Sequence, residues 1–143
     1  MLAVDVAIEQ LLRFAAGLGS DRATDLEAVH AFALHPLRVH LARQWADLVR
    51  WPAGSADADL RPYGSTLLFA FACPSYLLMG QIGDGDILLV DSDRSVTRPI
   101  ASDPNNFAEE TASLCQNEAW AAIRLLTTPA PPAEALLLLS TDG

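Results

Sequence analysis

The sequence predicts an α+β fold in one domain, and three observations carry that prediction. Helical periodicity dominates residues 1–51, loop composition occupies 52–63, and short apolar runs separated by turn residues fill 64–143. A chain of 143 residues with 51% hydrophobic and 19% charged residues has enough apolar material for one buried core and is too apolar for a disordered segment. It contains no internal repeat.

Residues 2–16, "LAVDVAIEQLLRFAA", place Leu2, Val4, Ile8, Leu11, Leu12 and Ala15 near one side at helical spacing, with Asp5, Glu9 and Arg13 along another. Gly17, Gly19 and Ser20 are expected to end this helix, and no capping residue precedes its start. The stretch "TDLE" then offers Thr24 as an N-cap with Glu27 at the reciprocal position. A second helical region is predicted over residues 25–50, kinked or divided at Pro36. His30, His35 and His40 recur every five residues and so spread around a helix, which argues against a metal triad. Trp45 and Trp51 are expected beneath the helices, Trp120 beside the last hairpin, and Asp57 and Asp59 in a solvated loop.

From Ser65 the texture changes to "STLLFAFA", "YLLMGQI", "DILLVD" and "SVTRPI", separated by "CPS", "GDG" and "SDR". These intervals predict an antiparallel meander. Residues 101–118 are polar, with a short helix near Phe107–Thr111, and "WAAIRLL" and "EALLLLS" are expected to pair as a last hairpin across "TTPAPP".

Nine Lys and Arg stand against 18 Asp and Glu, a formal charge of −9 without a dense basic cluster. Nucleic acid and anionic membrane surfaces are therefore poor partners, whereas cations and basic peptides suit the chain. Cys73 and Cys115 have neither CxxC spacing nor the density of a disulfide framework, which predicts a reduced, cytoplasmic setting and two buried small hydrophobes. The longest apolar stretch is cut by Pro74 and is too short to span a membrane, and the N-terminus lacks the basic residues of a signal peptide.

The stretch "QIGDGDILLV" at 81–90 is the most informative about chemistry. Asp-Gly between apolar runs signals a tight turn, which accounts for Gly85. It accounts only partly for Asp84, since Asn serves a turn as well. If the last strand runs in the same sense as the strand ending at Ile82, Asp142 of "LLLLSTDG" arrives at the same end as Asp84. A charged Asp142 after four leucines needs a cation or several donors, and magnesium or manganese prefers a few carboxylates with retained waters. A turn plus a strand-start charge accounts for the "GDGD" acids equally simply.

Three ordered stretches, "GST" at 64–66, "IGDGDILL" at 82–89 and "LLLSTDG" at 137–143, resemble motifs of the metal-dependent type 2C (PPM) serine/threonine protein phosphatases. These typically read Gly-Ser-Thr, Val-Gly-Asp-Ser-Arg and Leu-Ala-Ser/Thr-Asp-Gly. A fourth stretch, "ETASL" at 110–114, is similar to one in a bacterial subgroup. The resemblance implies a partial α-β-β-α sandwich: two antiparallel sheets flanked by helices, with the metal centre at one edge. It implies Asp142 as a metal ligand, Asp84 beside an additional metal, the Gly143 backbone as a further ligand position, and two or more Mn or Mg ions in a complete domain. Metal-bound water would serve as nucleophile, so no catalytic side chain is assigned. The implied substrate is a phosphorylated protein, and the implied partner a cognate serine/threonine kinase system.

The departures are specific. Gly85 and Asp86 replace the usual Ser-Arg pair. The Glu-Asp element and the Asp-Gly-x-Gly motif of the family have no counterpart in residues 1–63, and its later Asp-Asn element would lie beyond Gly143. The expectation is a single incomplete phosphatase-like domain over 1–143, a fragment lacking both ends, with little or no activity alone. A noncatalytic phosphatase-like interaction domain is the alternative.

Overall fold

One glycine-flanked crossing and one proline decide how these segments assemble. The computed structural model describes residues 2–22, 25–101 and 111–141. The expected Thr24 cap and the short helix near Phe107–Thr111 fall largely or wholly outside those residues. The helices are α1 (Leu2–Arg22), α2 (Leu26–Phe32) and α3 (Arg38–Arg50), the last two joined by a π-helical turn at Ala33–Leu37. The strands are β1 (Leu67–Ala72), β2 (Tyr76–Ile82), β3 (Asp86–Val90), β4 (Val96–Thr97), β5 (Arg124–Pro129) and β6 (Leu136–Ser140), with the short helix α4 (Ala119–Ala122) before β5.

Helix α1 runs through Gly17 and Gly19 instead of stopping there. Each interior glycine costs about 1 kcal/mol of helix propensity, which burial of Phe14 and Leu18 against the core opposes. The buried face also differs from the expected one: Ala3, Val6, Ala7, Gln10, Leu11, Phe14 and Leu18 face inward, while Leu2, Val4, Ile8 and Leu12 are exposed. The inward line follows i, i+4, i+8 and i, i+3 steps as well as the expected line does, and small Ala3 and Ala7 permit close approach.

Asp25 starts α2, its Oδ1 accepting from the amides of Glu27 at 3.0 Å and Ala28 at 3.2 Å. Pro36 divides this region into two α-helices, as expected, and does so without ending the helical path to Arg50. It lacks an N–H and its ring displaces the preceding turn, and the chain answers by widening to the π-helical turn that contains it. Arg38 Nε donates to the Leu34 carbonyl in that turn, and its Nη1 reaches the Ile123 carbonyl at 3.2 Å, tying the helices to the start of β5.

Every strand pairing is antiparallel, in two three-stranded sheets ordered β1-β2-β5 and β4-β3-β6. The β1–β2 and β3–β4 hairpins agree with the predicted meander. The β2–β3 step does not: at Gly83-Asp84-Gly85 the chain leaves one sheet and enters the other. Nor do the last two strands form a hairpin, since β5 pairs with β2 and β6 with β3. The reason lies in β2, which is buried along its whole length. A flat meander would leave one face of β2 wet, whereas folding the chain over at Gly83–Gly85 buries both.

Helices cover one face of the first sheet, where Val6, Phe14, Leu41 and Trp45 belong to the same core as Leu67, Phe69, Leu78 and Ile82. The second sheet covers the other face through Leu77, Met79, Ile87 and Ile100. The result is a helix-sheet-sheet stack, the partial α+β sandwich that the sequence implied. Trp45 is buried as expected, but Trp51, in a 3₁₀ turn at the end of α3, is 84% exposed. Trp120 lies against His35 at 6.2 Å between ring centroids, in an edge-on arrangement. Cys73 and Cys115 are free and half-buried.

Candidate functional site

Four stretches far apart in sequence meet at one edge of the sandwich. At Gly64–Thr66, the Ser65 amide donates to Ser113 Oγ at 2.8 Å, and Ser113 Oγ donates back to the Ser65 carbonyl at 3.1 Å. The Leu114 amide donates to the same carbonyl at 2.9 Å. "GST" is thereby zipped to the "TASL" part of "ETASL". Thr66 in turn lies against the crossing: a Cβ on Gly83 would sit 2.4 Å from Thr66 Cγ2.

The crossing is held from beneath. Gln81 is 4% exposed on the inter-sheet side of β2, and its Nε2 donates to the carbonyls of Gly83 and Gly85. Arg124, opposite Gln81 in the register, adds Nη2 to the Gly83 carbonyl at 3.3 Å and Nη1 to the Ala101 carbonyl. Buried backbone acceptors thus find side-chain donors where no ladder supplies them. Sequence reasoning missed Gln81 and Arg124; the signal for Gln81 was a polar residue at an inward position of an otherwise apolar strand.

Asp84 is exposed above this support, and its Oδ2 accepts from Thr111 Oγ1 at 3.1 Å. Asp86 is engaged elsewhere, its Oδ2 bound by Arg98 Nη2 at 2.8 Å. Ser140 pairs with Asp86, so β6 delivers its C-terminal end to the edge that carries Asp84. Gly85 makes that approach possible, because a Cβ there would stand 2.7 Å from the Ser140 carbonyl oxygen. Asp142 and Gly143 lie outside the described residues.

Among the described residues no three His, Cys, Asp or Glu side chains cluster as a metal site. The three histidines are apart as expected: His30 Nδ1 lies 3.4 Å from Thr127 Oγ1, His35 is beside Trp120, and His40 is exposed. Asp84 offers a single carboxylate here, and one of its oxygens already accepts from the Thr111 hydroxyl. The described residues do not supply the ligands of a binuclear centre.

The edge brings together the "GST", "GDG" and "TASL" stretches and the end of the leucine-rich strand. Comparison with protein families matches residues 1–143 to the family described as Protein phosphatase 2C. The chain belongs to the protein phosphatase 2C family. No curated protein and no solved structure matches it. No helix among the described residues is long and apolar enough to cross a membrane.

Proposed function

We propose that the chain contributes one edge of a phosphatase site that hydrolyses phosphoserine and phosphothreonine in proteins with Mn or Mg. The observation that carries this reading is the convergence at one edge of the stretches flanking Asp84 with the strand that leads to Asp142. Asp84 is assigned to an additional cation, and Asp142, with the Gly143 backbone, to a core cation. Ions held there would supply an activated water and stabilise charge on a phosphoryl group. The chain's own residues act more narrowly, in that Gln81 and Arg124 fix the carbonyls of the crossing and Thr111 orients the Asp84 carboxylate. A phosphoprotein made by a serine/threonine kinase is the matching substrate class, and the free Cys73 and Cys115 support a reduced, cytoplasmic setting.

These 143 residues alone are expected to hydrolyse little, because one core carboxylate does not hold a binuclear centre. Manganese-dependent hydrolysis of a small aryl phosphate by the purified chain, beside Asp84→Asn and Asp142→Asn, tests this. The expected rate is near background in all three. Turnover that disappears in Asp142→Asn would show instead that these residues build a working centre.

A further inference from the structure

We propose that the outer face of α1 docks on the same face of a second copy of this chain, with the two α1 helices antiparallel about a two-fold axis at Ile8. The surface belongs to the helical layer and lies apart from the Asp84 edge, so it is independent of the phosphatase reading.

Helix α1 is apolar on two sides. On one, Ala3, Val6, Leu11, Phe14 and Leu18 are buried in the core. On the other, Val4, Ile8, Leu12 and Ala16 follow one another at i, i+4 steps and all are exposed, Val4 by 52%, Ile8 by 53% and Leu12 by 60%. A surface helix turns a polar face to water, whereas a helix apolar all round is covered all round. Single exposed leucines are ordinary, but a continuous apolar ridge marks a contact surface. Ridges of i, i+4 spacing interdigitate in the commonest class of helix packing.

Charge selects the occupant and its direction. With the axis at Ile8, Val4 stands opposite the partner's Leu12, and Asp5 comes within two residues, about 3 Å along the helix, of the partner's Arg13. Asp5 is exposed and makes no ion pair among the described residues. Arg13 is also exposed, and its Nη2 donates to Glu9 Oε1 at 2.5 Å. A guanidinium carries five N–H donors, so Arg13 can serve a second carboxylate beside Glu9. The two-fold axis repeats the Asp5 to Arg13 pair, which makes the face complementary to itself although the chain carries a formal charge of −9. A basic peptide would answer Asp5 and oppose Arg13, and a parallel pair of α1 helices would set each charge against its like. One ridge with two ion pairs covers less than the about 800 Å² per partner of a standard interface, so the dimer is weak and reversible.

The test uses single cysteines in the chain with Cys73→Ser and Cys115→Ser. On mild oxidation Ile8→Cys should form a disulfide-linked dimer at least about tenfold faster than Val4→Cys, because the axis joins the two positions 8 and holds the two positions 4 about 12 Å apart along the helices. Sedimentation with the native cysteines in place gives a second readout. Asp5→Arg and Arg13→Asp should each weaken self-association about fivefold, and the two together should restore it; association through β6 involves neither residue and does not follow that pattern. All of these positions are exposed, so their replacements should keep the fold. Equal linking of Ile8→Cys and Val4→Cys, no linking by Ile8→Cys, or no recovery in the double charge exchange would each overturn the proposal. So would a chain whose Ile8 signals respond to phosphatidylcholine vesicles and not to protein concentration, which would give the ridge to a lipid surface.

Discussion

Gly83 and Gly85 flank the same aspartate for different reasons. Gly83 has φ of 105°, a conformation that L side chains rarely adopt, and it abuts Thr66. Gly85 has no such angle, but a Cβ there would collide with Leu68 as well as with the Ser140 carbonyl. The Asp-Gly signal was legible in sequence as a turn; which glycine carries the positive φ was not, because that depends on the crossing between sheets. Gly83→Ala is expected to destabilise the fold by about 1–3 kcal/mol through backbone strain and the Thr66 contact. Gln81→Leu should cost a similar amount, about 1–3 kcal/mol, by leaving the Gly83 and Gly85 carbonyls short of donors. Urea denaturation of the two variants beside the parent chain checks both, and an unchanged midpoint would contradict the role given to that residue.

At the scale of elements, the sequence revealed which segments are strands better than which strands pair. Alternation and turn chemistry located β1, β2, β3 and β6 almost to their ends. Pairing is a property of the second face of β2, and a run such as "YLLMGQI" does not state whether water or another sheet covers that face. The same limit explains α1, where two apolar lines compete and tertiary packing chooses between them. At Pro36 the division into two helices was legible, whereas the π-helical form of the turn between them was not. The register of β6 on β3 sets Leu88 opposite Leu138. With Cys73 and Cys115 replaced by serine, Leu88→Cys with Leu138→Cys should therefore form an intramolecular disulfide on mild oxidation, while a Leu126→Cys, Leu138→Cys pair should not. Preferential cross-linking of the second pair would restore the β5–β6 hairpin that the sequence suggested.

For the whole molecule, the layers are unequal. Helices cover the outer face of the first sheet, but on β6 of the second sheet Leu136 is 54% and Leu138 44% exposed, and β6 has no second strand partner among the described residues. An exposed apolar edge of this kind promotes association between chains. Sedimentation of the 143 residues should show association that grows with concentration, and Leu136→Lys with Leu138→Lys should reduce it; a monomer at every concentration would contradict this. The ordered motifs gave the family, while the support that Gln81, Arg124 and Ser113 give to this edge emerged only from the folded arrangement. Whether these motifs form one cation-binding edge is tested most directly by titrating the isotopically labelled chain with Mn²⁺ and following paramagnetic broadening of its amide signals. Saturable broadening centred on Gly83, Asp84, Gly85, Thr111 and Ser140 is expected, weakened about tenfold or more in Asp84→Asn. Broadening that spares these residues, or that centres instead on Asp57, Asp59, Asp91 and Asp93, would contradict a cation site at this edge.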